Sequence, residues 1–171
     1  MTTARLQNIK LLLLDVDGVL TDGSLAYTNG QVETKVFHVR DGLGIKMLHQ
    51  GGIKTGIVTG RSSAALIRRC RELGVDMFFD GIRDKAEVLD QIISDTGYNT
   101  DEIAFMGDDL PDLPLLKKIG LAIAVADAHE LVCQQADIVT QTVGGRGAVR
   151  EVCEMLLKSQ GIWQKLMGQW I

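Results

Sequence analysis

Nothing in the 171-residue sequence approaches the roughly 20 consecutive apolar residues that a membrane-spanning helix needs. The apolar stretch between Ile9 and Leu14 ends at Asp15, too short for a signal-peptide core, and no small-residue cleavage site follows. The chain therefore reads as cytoplasmic, with no membrane partner. Only three cysteines occur, Cys70, Cys133 and Cys153, an odd number at wide spacing. That argues against a disulfide framework and leaves buried, reduced thiols as the reading. His38, His49 and His129 are equally scattered and lack zinc-site spacing. Positive charge is in deficit, with 18 Lys and Arg against 22 Asp and Glu and a net charge of -4. Such a chain is a poor partner for nucleic acid or an anionic membrane. Repeats, low-complexity segments and linkers are also missing. One domain spanning residues 1–171 is expected, large enough to bury a core without covalent staples.

What is present alternates between strand and helix. Lys10 to Leu14 reads as a central parallel strand with a polar tip. Ser24–Tyr27 and Val32–Phe37 flank Asn29-Gly30, the signature of a protruding β-hairpin over 24–37. A helix begins at Asp41, taken as its N-cap, and stops at Gly51-Gly52. Thr55–Val58 is the next strand, then a helix capped by Ser62 or Ser63 and running to Leu73, then a short strand Met77–Phe79. Lys85–Thr96 is amphipathic, with Val88, Leu89, Ile92 and Ile93 as its stripe. Ile103–Met106 is a strand, Asp112–Ile119 a helix, Leu121–Val125 a strand and His129–Gln135 a helix. Ile138–Thr140 makes a last strand and Ala148–Ser159 a last helix, before a tail over 161–171 carrying Trp163 and Trp170. The pattern predicts an α/β fold, a Rossmann-like parallel sheet with helices on both faces. Such sheets bind ligands beyond the carboxyl ends of their strands.

The polar signals fall at those ends. Asp15 and Asp17 follow the first strand, Thr59 follows the second, and Asp108 and Asp109 follow Ile103–Met106. Residues two apart on an extended chain point the same way, so Asp15 and Asp17 face one site, and Asp108 adds a third acid. Packed carboxylates repel unless a cation intervenes, and oxygen-only ligands favour a hard ion such as Mg2+. Lys85 supplies a point charge suited to phosphate. The Thr59 hydroxyl and the Gly60 N–H can meet an oxyanion. Together these groups fit phosphoryl transfer. Singly they are ambiguous. Asp-x-Asp-Gly also suits a calcium loop or a turn, Thr59-Gly60-Arg61 a loop, and Lys85 a solvated helix start. Gly144 to Gly147 lacks the Walker Gly-Lys-Ser/Thr pattern and reads as a helix-entry loop.

Asp15-Val16-Asp17-Gly18-Val19-Leu20-Thr21, Thr59, Lys85 and Gly107-Asp108-Asp109 resemble, in order, the four motifs of the haloacid dehalogenase superfamily. The resemblance implies that Asp15 attacks phosphorus and becomes an aspartyl phosphate. It implies that Asp17 protonates the leaving oxygen and then deprotonates water, and that Thr59 and Lys85 hold the phosphoryl group. Mg2+ is then bound by Asp15, the Asp17 backbone carbonyl and Asp108. Only about 40 residues separate Asp17 from Thr59 and about 20 separate Lys85 from Asp108, too few for a cap domain. The site is expected to be open, with the 24–37 hairpin packing a neighbouring subunit over it.

Five longer stretches narrow the resemblance: Phe37 to Ile45, Val58 to Arg61, Gly107 to Asp112, Ala124 to Ala128 and Gly144 to Glu151. They are similar to the 3-deoxy-D-manno-octulosonate 8-phosphate phosphatase family, from the first strand to about Gln160. That implies a capless homotetramer using Mg2+ on a small phosphorylated sugar acid, in lipopolysaccharide sugar synthesis. Substrate contacts are implied for His38, Val39, Arg40, Asp41, Gly42, Lys46, Arg61 and Arg69, with Gly60 beside them. Guanidinium forks at Arg61 and Arg69 suit a sugar-acid carboxylate. Lys46 stands where arginine also occurs in the family, which would weaken bidentate binding. The tail, entered through Gly145-Arg146-Gly147, is implied to reach an adjacent subunit's site. Three other readings stand beside this one: a nine-carbon sugar-acid 9-phosphatase, an assembly module of the kind attached to sugar nucleotidyltransferases, and a response regulator.

Overall fold

The computed structural model describes residues 2–28 and 33–168. In chain order the strands are β1 (Leu11–Leu14), β2 (Ala26–Tyr27), β3 (Glu33–Thr34), β4 (Lys54–Val58), β5 (Met77–Phe79), β6 (Ile103–Gly107), β7 (Leu121–Ala124) and β8 (Ile138–Val139). The helices are α1 (Thr2–Asn8), α2 (Val39–Gln50), α3 (Ala64–Leu73), α4 (Leu89–Thr96), α5 (Leu113–Leu116), α6 (Glu130–Gln135), α7 (Ala148–Ser159) and α8 (Trp163–Met167).

All four leucines of β1 are fully buried. Side chains alternate across a strand, so both faces of β1 must be covered. Leu12 and Leu14 join one core with Ile45, Leu48, Val149, Val152 and Leu156, from α2 and α7. Leu11 and Leu13 join another with Ile92, Leu115 and Val132, from α4, α5 and α6. The result is a parallel six-stranded sheet, ordered β5-β4-β1-β6-β7-β8, between two helical layers. β1 pairs with β4 on one side and β6 on the other, so the chain leaves the centre in opposite directions. A crevice opens at that switch point, beyond the carboxyl tips.

The local signals mostly hold. Ser63 caps α3 by accepting from the Leu66 N–H at 3.2 Å, and Gly74 ends the helix in the left-handed region at φ 71°. Lys85–Thr96 splits into a 3-10 turn, Lys85–Val88, followed by α4. Asp112–Ile119 is shorter than expected: a 3-10 turn over Leu110–Asp112 leads into the four residues of α5, each piece with a proline in its first turn. Asp41 is not an N-cap. His38 takes that position, and Asp41 lies inside α2, its Oδ1 accepting from the Arg150 N–H of α7 at 2.8 Å. The carboxylate serves the neighbouring helix because α2 and α7 pack side by side.

The hairpin is smaller than its sequence predicts, with Ala26 opposite Thr34 and Tyr27 opposite Glu33. Its Asn29-Gly30 turn and Val32 lie outside the described residues, as does Trp170. Helix α1 was not expected. It holds one buried apolar side chain, Leu6, and is docked by Gln160 Nε2, which donates to the Leu6 and Ile9 carbonyls at 3.1 and 2.8 Å. The tail folds back as α8, with Leu166 buried and Lys158 Nζ 4.7 Å from the Trp163 ring centre. All three cysteines are free thiols. Burial pushes the Cys70 thiol up to about 11 and Cys153 higher still, so neither ionises near neutral pH. No helix among the described residues is long and apolar enough to cross a membrane.

Candidate active site

The loop after β1 turns on one carbonyl. Val16 O accepts from the N–H groups of Val19, Leu20 and Thr21 at 3.3, 2.9 and 3.0 Å. This tight turn holds Asp15 and Asp17 at the strand tip, while Asp15 N–H bonds the Met106 carbonyl at 3.0 Å and stays in register with β6. Gly18 is obligatory here. Its φ is +94°, and a Cβ at this position would overlap the Asp108 carboxylate. The Gly144 loop packs on the same turn: a Cβ there would overlap the Gly18 carbonyl, and Gly144 N–H donates to Asp127 Oδ1 at 2.9 Å.

Asp15, Asp17, Thr59, Gly60, Arg61, Lys85 and Asp108 line one cavity of about 430 Å3, together with Ile82, Arg83, Asp109, Pro111 and Asp112. Three segments far apart in sequence, carrying Asp15 and Asp17, Thr59, and Asp108 and Asp109, meet where the strand-end rule puts them, and Lys85 joins them there. Lys85 is buried, with Nζ 2.6 Å from Asp15 Oδ1 and 2.5 Å from Asp112 Oδ1. Burial opposes its charge, yet the two carboxylates together outweigh that and hold its pKa above the usual lysine range. Burial pushes the Asp15 carboxyl up to about 6, against the pull of Lys85. Asp108 is pushed up to about 8, first by burial and then by the charges of Asp15 and Asp112.

Asp112 is one residue that sequence reasoning missed. It is 1 % exposed, and its Oδ2 accepts from the N–H groups of Asp108 and Asp109 at 2.8 and 3.1 Å. Its other oxygen holds Lys85. A carboxylate four residues after Asp108 in Gly107-Asp108-Asp109-Leu110-Pro111-Asp112 could have been read as such a brace. Asp15, Asp108 and Asp112 each offer an oxygen within 4.8 Å of the others. Three acids face one ammonium, so the donor set fits a hard divalent cation. Both Asp112 oxygens are already engaged, which leaves Asp15 and Asp108 as the side chains available to it.

The remaining candidates lie elsewhere. Arg69 lines a neighbouring groove of about 590 Å3 with Lys35, Phe37, Val39 and Arg68. Its guanidinium packs on Gly42, where a Cβ would collide with it, and lies 5.9 Å from the Phe37 ring centre. Val39, Arg40 and Lys46 are exposed on α2, and His38 is half-buried beside them. Asp41 is buried and bonded to Arg150. Within this one chain, the cluster from His38 to Gly42, Lys46 and Arg69 is therefore not drawn into the acidic cavity. Arg61 bridges the two regions, 3.7 Å from Asp17 Oδ2 and 2.8 Å from Glu33 Oε2.

Fold and tip chemistry together define a haloacid dehalogenase-like hydrolase, and the model of that family matches residues 78–152. The 3-deoxy-D-manno-octulosonate 8-phosphate phosphatase of Escherichia coli K12 is 44% identical over 97% of this chain and 88% of its own length. The Moraxella catarrhalis enzyme of that name, solved with magnesium, phosphate and KDO, is 40% identical with a TM-score of 0.96, covering 99% of this chain and 97% of the other. A cobalt-bound Haemophilus influenzae phosphatase is 44% identical with a TM-score of 0.89, over 92% of each chain. The chain belongs to the 3-deoxy-D-manno-octulosonate 8-phosphate phosphatase family.

Proposed function

We propose that this protein hydrolyses 3-deoxy-D-manno-octulosonate 8-phosphate to the free sugar acid and phosphate. The observation that carries the reading is the buried Asp15–Lys85–Asp112 contact beside Asp108, at the tip of the central strand. Asp15 is the nucleophile: its carboxylate oxygen bonds to phosphorus as the sugar oxygen leaves. Asp17 gives that oxygen a proton, then takes one from the water that cleaves the aspartyl phosphate. Lys85, the Thr59 hydroxyl and the Gly60 N–H hold the phosphoryl oxygens. Asp15, Asp108 and the Asp17 backbone carbonyl would hold Mg2+. When bound, the ion neutralises charge so that a carboxylate and a phosphate can meet. Asp112 keeps Lys85 charged and aimed.

Arg61 at the cavity rim and Arg69 in the adjoining groove are suited to the substrate's carboxylate. Exposed apolar side chains at Leu25, Tyr27, Val36 and Val39 support a second reading, that neighbouring copies cover this open face in a homotetramer.

The test is Mg2+-dependent phosphate release from a panel of sugar-acid phosphates, with Asp15→Asn alongside. Selective turnover of the eight-carbon 8-phosphate, lost in Asp15→Asn and with chelator, is the expected result. Turnover of a nine-carbon 9-phosphate alone would move the substrate, and no turnover of any phosphate would overturn the reading.

A further inference from the structure

The hairpin delivers charge into the site. Side chains alternate along an extended chain, so Glu33, Lys35 and Phe37 share one face while Thr34 and Val36 share the other. Thr34 and Val36 line a separate shallow cavity with Gly145 and Arg146. On the inner face, Lys35 Nζ forms an ion pair with Asp17 Oδ1, and its side chain is only 2% exposed. Glu33 Oε1 takes the other side of the same ammonium at 2.9 Å. Glu33 is fixed in turn by Arg61, through Oε2 at 2.8 Å, with the Tyr27 hydroxyl 3.5 Å from the same guanidinium nitrogen. A lysine that is buried, paired on both sides and carried by two-residue strands is not a solvated surface charge.

The two oxygens of Asp17 are treated differently. Oδ1 is tied to Lys35, whereas Oδ2 is buried, has no hydrogen-bond partner among the described residues and meets the Arg61 guanidinium only at 3.7 Å. An ion pair at that distance leaves the Oδ2 lone pairs without an N–H donor, so this is the oxygen able to exchange a proton with substrate. Resting on the role given to Asp17 above, we infer that Lys35 is a positioning residue for proton transfer, with Glu33 as its orienter. Lys35 pins Oδ1, which fixes the carboxylate plane and leaves Oδ2 as the oxygen that carries the proton. As the P–O bond breaks, that proton passes from Oδ2 to the departing sugar oxygen. In the second step Oδ2 takes a proton back from water as the water oxygen bonds to phosphorus. The hairpin is thus part of the acid–base apparatus as well as a surface element.

Leaving groups separate this role from a structural one. An alkyl oxygen, as in a sugar phosphate, needs the proton, whereas a nitrophenolate leaves without it. General acid–base groups contribute roughly 100- to 10,000-fold, and misplacing one forfeits part of that. Lys35→Met should therefore slow the first step, read as sugar-acid or nitrophenol release in a single turnover with enzyme in excess, by about 30- to 100-fold for the eight-carbon sugar-acid phosphate and by less than about tenfold for p-nitrophenyl phosphate. KM for the sugar phosphate should stay within about threefold, and Lys35→Arg should recover most of the lost rate, because it restores the cation. Glu33→Gln should show the same leaving-group bias, more weakly. Equal losses on both substrates in Lys35→Met and Glu33→Gln, or a loss confined to KM, would overturn the inference while leaving the proposed activity standing. A wild-type protein inactive on both substrates would overturn the proposed activity and this inference with it.

Discussion

Lys85→Met isolates the electrostatics of the site, because methionine keeps much of the stem's volume and removes only the ammonium. The ammonium sits 2.6 Å from Asp15 and 2.5 Å from Asp112, in a side chain 4 % exposed as a residue. Without it, Asp15, Asp108 and Asp112 face one another uncompensated. Breaking a buried pair by removing one partner costs about 3–5 kcal/mol, since the stranded charge stays buried. In a chain of this size each kcal/mol moves the melting temperature by roughly 2–4 °C, so a fall of about 6–20 °C is expected.

The sign of the pH dependence follows from the same groups. Asp15 and Asp108 titrate at about 6 and about 8 in the fold, both above the usual value of 3.8. The folded state therefore binds more protons than the unfolded chain between those limits, and stability falls as pH rises from about 4 to about 8. The raised lysine acts in the same direction at higher pH: its stabilisation is complete below the unfolded value of 10.5 and is lost as pH rises through the folded value. Lys85→Met should thus cost most at pH 8 and much less at pH 5, where the acids can take protons instead. The assay is thermal and urea unfolding of both proteins in chelator at the two pH values. If the variant melts with the wild type at pH 8, or loses as much at pH 5, Lys85 is not the counter-charge of the cluster.

Added Mg2+ should raise the wild-type melting temperature. Saturation at about 100 times Kd is worth about 2.7 kcal/mol, or roughly 5–10 °C, and the rise should be larger at pH 8 than at pH 5 because protons compete for Asp15 and Asp108. Calorimetric melts in metal and in chelator measure it directly. Gly18→Ala should cost about 2 kcal/mol or more in urea unfolding, from a forbidden φ and an overlap with Asp108, and Mg2+ affinity should weaken with it. Asp41→Ala strips the Arg150 N–H of its acceptor at the start of α7 and should cost about 1–3 kcal/mol; unfolding with unchanged stability would remove Asp41 from that role.

The parallel sheet and its polar tips were legible because both are local. A buried leucine strand and an acidic turn announce themselves within eight residues, and the rule for strand ends then places Thr59 and Asp108 beside Asp15. Helices whose ends carry a cap signal, such as Ser63 before α3, were legible too. What escaped depends on neighbours. Asp41 reads as an N-cap for its own helix, and only the packing of α2 on α7 gives its carboxylate to Arg150. Helix α1 has too little apolar surface to signal itself and exists by docking. Asp112–Ile119 reads as one helix, but Asp112 closes a 3-10 turn and only Leu113–Leu116 is α-helical.

Asp112 and Lys35 were hidden for a related reason, one that bears on capless sites in general. Each is a charged residue whose local context is unremarkable, one in a short turn and one beside a hairpin strand two residues long. Charge there ordinarily means solvent. Both are instead driven inside by the acids of the first strand tip: Asp112 by way of Lys85, and Lys35 by way of Asp17. Three carboxylates gathered at one tip cannot be left to water alone, because the strand that carries Asp15 is buried on both faces. With no cap domain among the described residues to bring in counter-charge, the chain recruits it from the nearest loops, and the groups that answer are the ones whose own sequence surroundings say least.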